Sequence, residues 1–277
     1  MDRRSVLTLM GATVLAACSR GSSTKGTTDR RSTDDMQRIT YGPDPSQFGE
    51  LTRPAGTARG VVVVIHGGFW RAQYDLSLGR PLVPSLVDAG WAAYNIEYRR
   101  VGDGGGWPQT FDDVAAAIDA LAGQKDLDLS SVVTLGHSAG GHLAVWAAGR
   151  PALTGTAWAD PAVPVTAAIS QAGVIDLTAA TAADLGDGAL QDLMGGSVDE
   201  RYPLADPVAR IPLPVPVRCV HGTADDVVPL AQSSVYVERA TAAGADATLT
   251  EVDGDHFVVI DPTSSAWEQT LEILAAL

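Results

Sequence analysis

A Gly-x-Ser-x-Gly sequence occupies residues 136–140, directly after the apolar and β-branched run at 132–135. Helix-favouring, alanine-rich sequence follows at 143–148. A strand, a sharp turn and a helix in this order can form a nucleophile elbow, in which glycines let strand and helix approach closely. We therefore predict that Ser138 is a nucleophile and that the amide of Ala139 can stabilise an oxyanion. The alternative is an ordinary glycine-rich turn in a βα unit.

The rest of the chain alternates between strand-like and helix-like segments. The clearest strand is 61–65, where β-branched residues are continuous, as in a parallel strand buried on both faces. Further strands are predicted at 36–41, 48–53, 91–98, 165–170, 217–220 and 247–252. Helices are predicted at 81–89, 110–121, 230–243 and 264–276. This alternation predicts an α/β fold with a mostly parallel central sheet and helices on both faces. Residues 176–206 have weak helical signals interrupted by glycines and are predicted to form an inserted cap.

Three other strand ends carry polar motifs. The sequence His-Gly-Gly-Phe-Trp at 66–70 follows the 61–65 strand, and its glycines, Gly67 and Gly68, can turn backbone amides toward an oxyanion. Asp225 and Asp226 follow the strand at 217–220, where a buried carboxylate can orient a histidine. From the residues alone, either aspartate can take this role while the other caps the next helix or faces solvent.

His256 follows the last predicted strand, on a loop from which an imidazole can reach Ser138. We expect the other four histidines to have structural roles. His66 and His221 begin glycine turns. His137 occupies the variable position of the elbow, and His142 lies on the following helix. Elimination therefore leaves His256 as the catalytic base.

These motifs, in the order oxyanion loop, serine, acid and histidine, resemble the α/β-hydrolase superfamily, in particular its esterase/lipase and kynurenine-formamidase-like branch. The resemblance covers about residues 35–277. The segment at 221–229 also resembles prolyl-oligopeptidase-type peptidases, in which the first aspartate is the triad acid, so the resemblance selects Asp225. The chain has no room for the propeller domain of those peptidases.

The resemblance implies a serine hydrolase that cleaves a carboxylic ester through an acyl-enzyme, with Ser138, His256 and Asp225 as its triad. Three aromatic residues after the oxyanion strand, Phe69, Trp70 and Tyr74, are predicted to line an apolar substrate pocket, with core packing as the alternative. The alternative functions are an arylformamidase that uses the same triad, and a non-catalytic lipoprotein that retains the fold as a binding module.

Composition narrows the possible partners. The formal net charge of −14 over 277 residues argues against nucleic-acid binding, which requires a basic face. No two histidines have metal-ligand spacing on one element, so no metal and no cofactor is expected. Only two cysteines are present, which excludes a disulfide framework, and Cys219 lies in a strand-like context typical of an inert buried thiol.

The N-terminal residues resemble a bacterial lipoprotein signal. Paired arginines at positions 3 and 4 precede an apolar run at 6–17 that is too short to span a bilayer, and small residues lead directly to Cys18. We expect residues 1–17 to be removed and Cys18 to be lipidated, with 18–34 as a disordered tether to the domain at 35–277. Such a protein would be exported and held at the cell membrane on its extracytoplasmic side, and the twin arginines suggest the Tat route. The alternative is a plain secretory signal in which Cys18 is incidental.

A Cys18→Ser variant tests the predicted anchor. Without the thiol no lipid can be attached, so the variant is expected in the soluble fraction while the wild-type protein sediments with membranes. Fractionation followed by immunoblotting measures this partition. Persistent membrane association of Cys18→Ser would contradict lipid anchoring.

Overall fold

The computed structural model describes residues 36–195 and 200–277. The predicted signal, tether and lipidated Cys18 lie outside these ranges. The described strands are β1 Met36–Thr40, β2 Phe48–Thr52, β3 Val61–Ile65, β4 Ala92–Ile96, β5 Val132–His137, β6 Ala167–Gln171, β7 Val217–Gly222 and β8 Ala247–Val252. The described α-helices are α1 Val83–Asp88, α2 Gln109–Asp119, α3 Ala139–Ala148, α4 Leu177–Ala182, α5 Ala189–Met194, α6 Tyr202–Ala205, α7 Ala231–Ala242 and α8 Ser265–Ala276. Within these ranges, no helix is both long and apolar enough to cross a membrane.

The eight described strands form one sheet in the order β1-β2-β4-β3-β5-β6-β7-β8. Strands β3 to β8 pair in parallel, whereas β1 and β2 form an antiparallel edge beside β4. In register, Ile65 lies beside Gly136, and Gly222 lies beside Val252. The loops after β3, β5, β7 and β8 therefore leave the same edge of the sheet, and these loops carry all four predicted motifs.

Helices cover both faces of the sheet, because alternate residues of its central strands point to opposite sides. Val61, Val63 and Ile65 pack in the core that includes α2, α3 and α7. Val62 and Val64 pack on the other side, in the core that includes α1 and α8. The predicted α/β fold with a mostly parallel sheet is confirmed. The predicted helix at 81–89 is shorter, because two 3₁₀ turns precede α1 at Leu76–Leu78 and Arg80–Leu82.

In the segment predicted as a cap, residues 176–195 and 200–206 are described, and they contain three short helices, α4, α5 and α6, between β6 and β7. The Arg71 guanidinium donates to the Asp187 carbonyl (2.8 Å), and the Trp107 amide donates to the Leu193 carbonyl (2.7 Å). The segment thus packs on loops at the edge of the sheet where the four motifs lie.

His142 joins helix α3 to the end of this segment. Its Nε2–H donates to the Ala205 carbonyl at 2.9 Å, and its ring lies edge-on to Trp70 with centroids 5.4 Å apart. The ring is fully buried and its Nδ1 has no hydrogen-bond partner among the described residues. Burial lowers the pKa of His142 to about 4, so the ring is neutral near pH 7. Cys219 is likewise buried, and burial raises the pKa of its thiol to about 12, as expected for an inert core residue.

The depressed pKa of His142 predicts that the fold loses stability in acid. Between the unfolded pKa of about 6.5 and the folded value, the unfolded chain binds more protons, so stability is fully present above that window and falls as pH falls through it. We expect His142 to contribute a loss of about 2 kcal/mol in the free energy of unfolding between pH 7.5 and pH 5. Urea unfolding of wild type and His142→Gln at both pH values measures this contribution, and the variant should depend less on pH. Equal losses in the two proteins would contradict the assignment.

Candidate active site

Ser138 lies between β5 and α3 with backbone angles of φ 56° and ψ −119°. For a residue with a side chain this conformation is strained, and close packing around the turn maintains it. A Cβ on Gly136 would lie 2.1 Å from the Gly140 carbonyl oxygen, and a Cβ on Gly140 would lie 2.0 Å from the Ile65 carbonyl oxygen. The Ser138 amide donates to the Gln171 carbonyl of β6 at 2.8 Å. The two glycines are therefore required for β5, α3 and β3 to approach as closely as they do.

The Asp225 carboxylate accepts a hydrogen bond from His256 Nδ1 at 2.7 Å. Its side chain has no exposed surface, and its other oxygen accepts from the amides of Val227 (2.9 Å) and Val228 (2.7 Å). Asp226 is exposed. The turn at 225–228 thus directs the first aspartate inward, and of the two aspartates left open by the sequence, Asp225 is the one on His256.

A second histidine contacts the same carboxylate. His221 Nε2 lies 3.1 Å from Asp225 Oδ2 and 2.9 Å from the Val228 carbonyl oxygen, and its Nδ1 lies 2.8 Å from Ser233 Oγ. Burial alone would raise the pKa of Asp225, but the hydrogen bonds from His221, His256 and the Val228 amide outweigh burial and hold that pKa well below its usual range. Asp225 is therefore ionised at every pH at which the protein is expected to work. The sequence predicted a structural role for His221 but did not reveal this contact, although the spacing of four residues across a glycine turn was a possible signal.

The elbow and the histidine loop meet through His137, the residue before Ser138. His137 Nε2–H donates to the His256 carbonyl at 2.9 Å, and the two imidazole rings lie 4.4 Å apart, centroid to centroid. Burial, reinforced by the nearby His256, lowers the pKa of His137 to about 3, so this ring is a neutral donor. The sequence assigned His137 only to the variable position of the elbow and did not predict that it holds the His256 loop beside Ser138.

The predicted oxyanion loop, residues 66–70, lies against the elbow at residues 136–140. A Cβ on Gly67 would lie 2.7 Å from the His137 carbonyl oxygen and 3.1 Å from Ser138 Cβ, so the loop backbone packs directly beside the serine. Gly68, Phe69 and Trp70 have successive positive φ angles of 106°, 52° and 56°. Among the described residues, no acceptor engages the amides of Gly68 or Ala139. These two amides are thus available to a negatively charged oxygen near Ser138.

The three aromatic residues predicted to line a pocket have different environments. Trp70 is 1% exposed and packs in the core against His142, so for this residue the core-packing alternative is correct. Phe69 is partly buried beside Gly186 of the cap segment, and only Tyr74, 44% exposed, lies over Gly68 at the surface. The prediction did not include Phe257, which is 58% exposed and stands 5.2 Å from the His256 ring.

Comparison with known proteins agrees with this arrangement. A family model described as BD-FAE matches residues 51–239. The chain belongs to the BD-FAE family. The match and the eight-stranded sheet together place the chain in the α/β-hydrolase superfamily, on its esterase/lipase side, as the motifs predicted.

Two curated relatives of this BD-FAE protein come from Mycobacterium tuberculosis. Esterase LipC is 27% identical in an alignment of length 233 that covers 74% of this chain and 55% of LipC. Esterase LipQ is 30% identical in an alignment of length 237 that covers 78% of this chain and 55% of LipQ. The match to this chain therefore spans about half the length of each relative.

Among solved structures, the fold is similar to that of esterase Est2 from Thermogutta terrifontis. The TM-score is 0.72 with 22% identity, over 87% of this chain and 91% of Est2. Est2 has also been solved in a form phosphonylated by sarin.

Proposed function

We propose that this BD-FAE protein is a serine hydrolase that cleaves a carboxylic ester through an acyl-enzyme. The observation that carries the proposal is the 2.7 Å hydrogen bond between His256 Nδ1 and the buried Asp225, on a loop that His137 holds beside the strained Ser138. A triad needs a hydroxyl and an imidazole whose tautomer is fixed by a carboxylate, and these contacts supply the carboxylate and bring the imidazole loop to the residue next to Ser138.

The proposed reaction follows from these positions. Because Asp225 accepts a hydrogen bond from His256 Nδ1–H, the proton stays on Nδ1, and the Nε2 lone pair is available to take the Ser138 hydroxyl proton as the serine oxygen attacks the acyl carbon. His256 then donates that proton to the leaving alcohol as the ester C–O bond breaks. Water, activated by the same imidazole, releases the acid from Ser138. Asp225 remains ionised throughout and stabilises the imidazolium that forms twice in each cycle.

The tetrahedral intermediates place negative charge on the former carbonyl oxygen. The amides of Gly68 and Ala139 are the donors proposed to receive it. Each is held by backbone that is already fixed before substrate arrives: Ala139 opens α3, and Gly68 lies in the left-handed run of the oxyanion loop. Donors that need no reorganisation stabilise the transition state more than donors that must move into position.

A Ser138→Ala variant tests the nucleophile. We expect hydrolysis of p-nitrophenyl acetate or butyrate to fall by at least about 10³-fold, because no acyl-enzyme can form. Covalent labelling by a fluorophosphonate, read by intact-protein mass spectrometry, should be lost as well. Exposed Ser130 provides the control, and Ser130→Ala should retain both activities.

Full labelling of Ser138→Ala would remove Ser138 as the nucleophile. A folded wild-type protein that neither reacts with the probe nor turns over any ester would favour the non-catalytic binding module. Faster turnover of N-formylkynurenine than of the esters would favour the arylformamidase.

The two aspartates form a second, matched test. Asp225→Asn should lower kcat by about 10⁴-fold, because an amide facing Nδ1 favours the wrong imidazole tautomer. Asp226→Asn removes an equal charge from the exposed neighbour and should leave kcat within about threefold, as is usual for surface substitutions. Steady-state kinetics on one p-nitrophenyl ester, with the free energy of unfolding of each variant, gives the comparison. The reverse ranking would show that Asp225 is not the triad acid.

A further inference from the structure

A buried carboxylate that the proposed reaction does not use lies behind the oxyanion loop. Glu97, just after β4, is 3% exposed, and both of its oxygens are engaged. Oε1 lies 3.0 Å from His66 Nε2 and 2.9 Å from Arg100 Nη1, and it accepts from the Tyr98 amide at 2.9 Å. Oε2 accepts from the Leu76 amide at 2.9 Å. These four contacts hold the buried carboxylate of Glu97 in one position.

Glu97 fixes the ring of His66, the first residue of the oxyanion loop. His66 Nε2 lies 3.0 Å from Glu97 Oε1, and the other ring nitrogen, Nδ1, lies 2.8 Å from the Gly67 carbonyl oxygen, so both ring nitrogens face an acceptor. Tyr98 stacks on the same ring with centroids 4.4 Å apart and donates its hydroxyl to the His66 carbonyl at 2.8 Å. The imidazole therefore cannot rotate without breaking contacts on its edge and its face.

The Gly67 carbonyl belongs to the same rigid peptide unit as the Gly68 N–H. In a trans peptide these two groups point in opposite directions, and the plane that contains them resists twisting. When Nδ1–H holds the Gly67 carbonyl toward the His66 ring, the Gly68 N–H must point away from that ring. Gly67 itself packs against Ser138 Cβ, so the backbone that carries the Gly67–Gly68 peptide lies directly beside the serine.

Glu97 also restrains the loop from a second direction. Arg100, which is 6% exposed and paired with Glu97, donates from Nη1 to the Tyr74 carbonyl at 2.7 Å. The Tyr74 side chain covers Gly68, where a Cβ would lie 2.3 Å from the Tyr74 ring. The backbone at Gly68 is thus restrained by the His66 contact and by Tyr74. Glu97 contacts His66 directly and is connected to Tyr74 through Arg100.

We propose that Glu97 and His66 are positioning residues for the oxyanion hole: Glu97 orients the His66 imidazole, and the imidazole orients the Gly67–Gly68 peptide so that the Gly68 N–H faces the oxyanion. This inference rests on the proposed function. The competing interpretation is that the same buried contacts only stabilise the fold. The two differ in what they affect, because a positioning role acts on the transition state and leaves ground-state binding unchanged.

The test uses Glu97→Gln beside the wild-type protein. The amide is nearly the same size but lacks the charge that aligns His66 and Arg100. We expect kcat on a p-nitrophenyl ester to fall about 10- to 100-fold with KM within about twofold, because the Gly68 donor is misaligned. The inhibition constant of an aryl trifluoromethyl ketone, whose serine adduct places an oxyanion in the hole, should rise by a similar factor.

Asp119→Asn is the matched control. Asp119 pairs with the buried Arg150 at 2.6 Å, so its loss also removes a partner from a buried cation. Arg150 follows the C-terminal end of α3, whereas Ser138 precedes its N-terminal end. The variant is expected to lose stability but to keep kcat and ketone affinity within about threefold of wild type.

Two substitutions of His66 separate positioning from stability even if Glu97→Gln fails to fold. An asparagine amide nitrogen can occupy the place of Nδ1 and still donate to the Gly67 carbonyl, whereas a glutamine amide reaches the place of Nε2 and contacts only Glu97. We expect His66→Asn to retain at least about tenfold more kcat and ketone affinity than His66→Gln, at comparable stability.

The inference would be overturned if Glu97→Gln folded with wild-type kcat and ketone affinity, or if the two His66 variants lost activity only in proportion to their stability. Failure of the proposed function itself has a different signature, since the wild-type protein would then neither turn over the ester nor bind the ketone.

Discussion

The left-handed backbone of Ser138 is the constraint on which the site depends. A strand that enters a helix through one residue at φ 56° places that residue's hydroxyl at the edge of the sheet and leaves the amide after it, in the first turn of α3, without an intrahelical acceptor. The conformation is unfavourable in isolation and persists because β3, β5 and α3 are packed to glycine–carbonyl contact at Gly136 and Gly140. The strain at one serine is thus maintained by the tight centre of the sheet, and the two glycines that flank Ser138 determine its geometry.

The parallel sheet brings the remaining groups to that serine. Strands β3, β5, β7 and β8 run in the same direction, so their following loops emerge at one edge although they are far apart in sequence. Two contacts between these loops set the final spacing: Gly67 packs against the elbow, and His137 holds the His256 carbonyl. The elbow is therefore in contact with the oxyanion loop on one side and with the histidine loop on the other.

Local sequence patterns were sufficient to predict the strands and the motifs, but they did not predict the direction in which individual side chains point. Short apolar or alternating segments predicted all eight described strands, most clearly the continuous β-branched run at 61–65, and the residues that follow four of these strands predicted the motifs, because these signals are local. The residues alone did not distinguish Asp225 from Asp226. The distinction depends on a turn in which the amides of Val227 and Val228 donate to one oxygen of Asp225. The sequence left Trp70 open between a pocket and the core, because no local pattern distinguishes the two positions, and in the structure the residue is 1% exposed.

The polar groups buried near this edge show why sequence patterns alone could not find them. Glu97, His66 and His221 each look like isolated polar residues at strand ends, and burying any one of them without partners would destabilise the fold. Their stability comes from long-range pairing: Glu97 on His66 across 31 residues, and Asp225 on His256 across the same separation. In the proposed mechanism, the Asp225–His256 pair orients the base, and the Glu97–His66 pair orients the backbone of the oxyanion loop. The same interaction, used twice, would then fix both where a proton can move and where negative charge can develop.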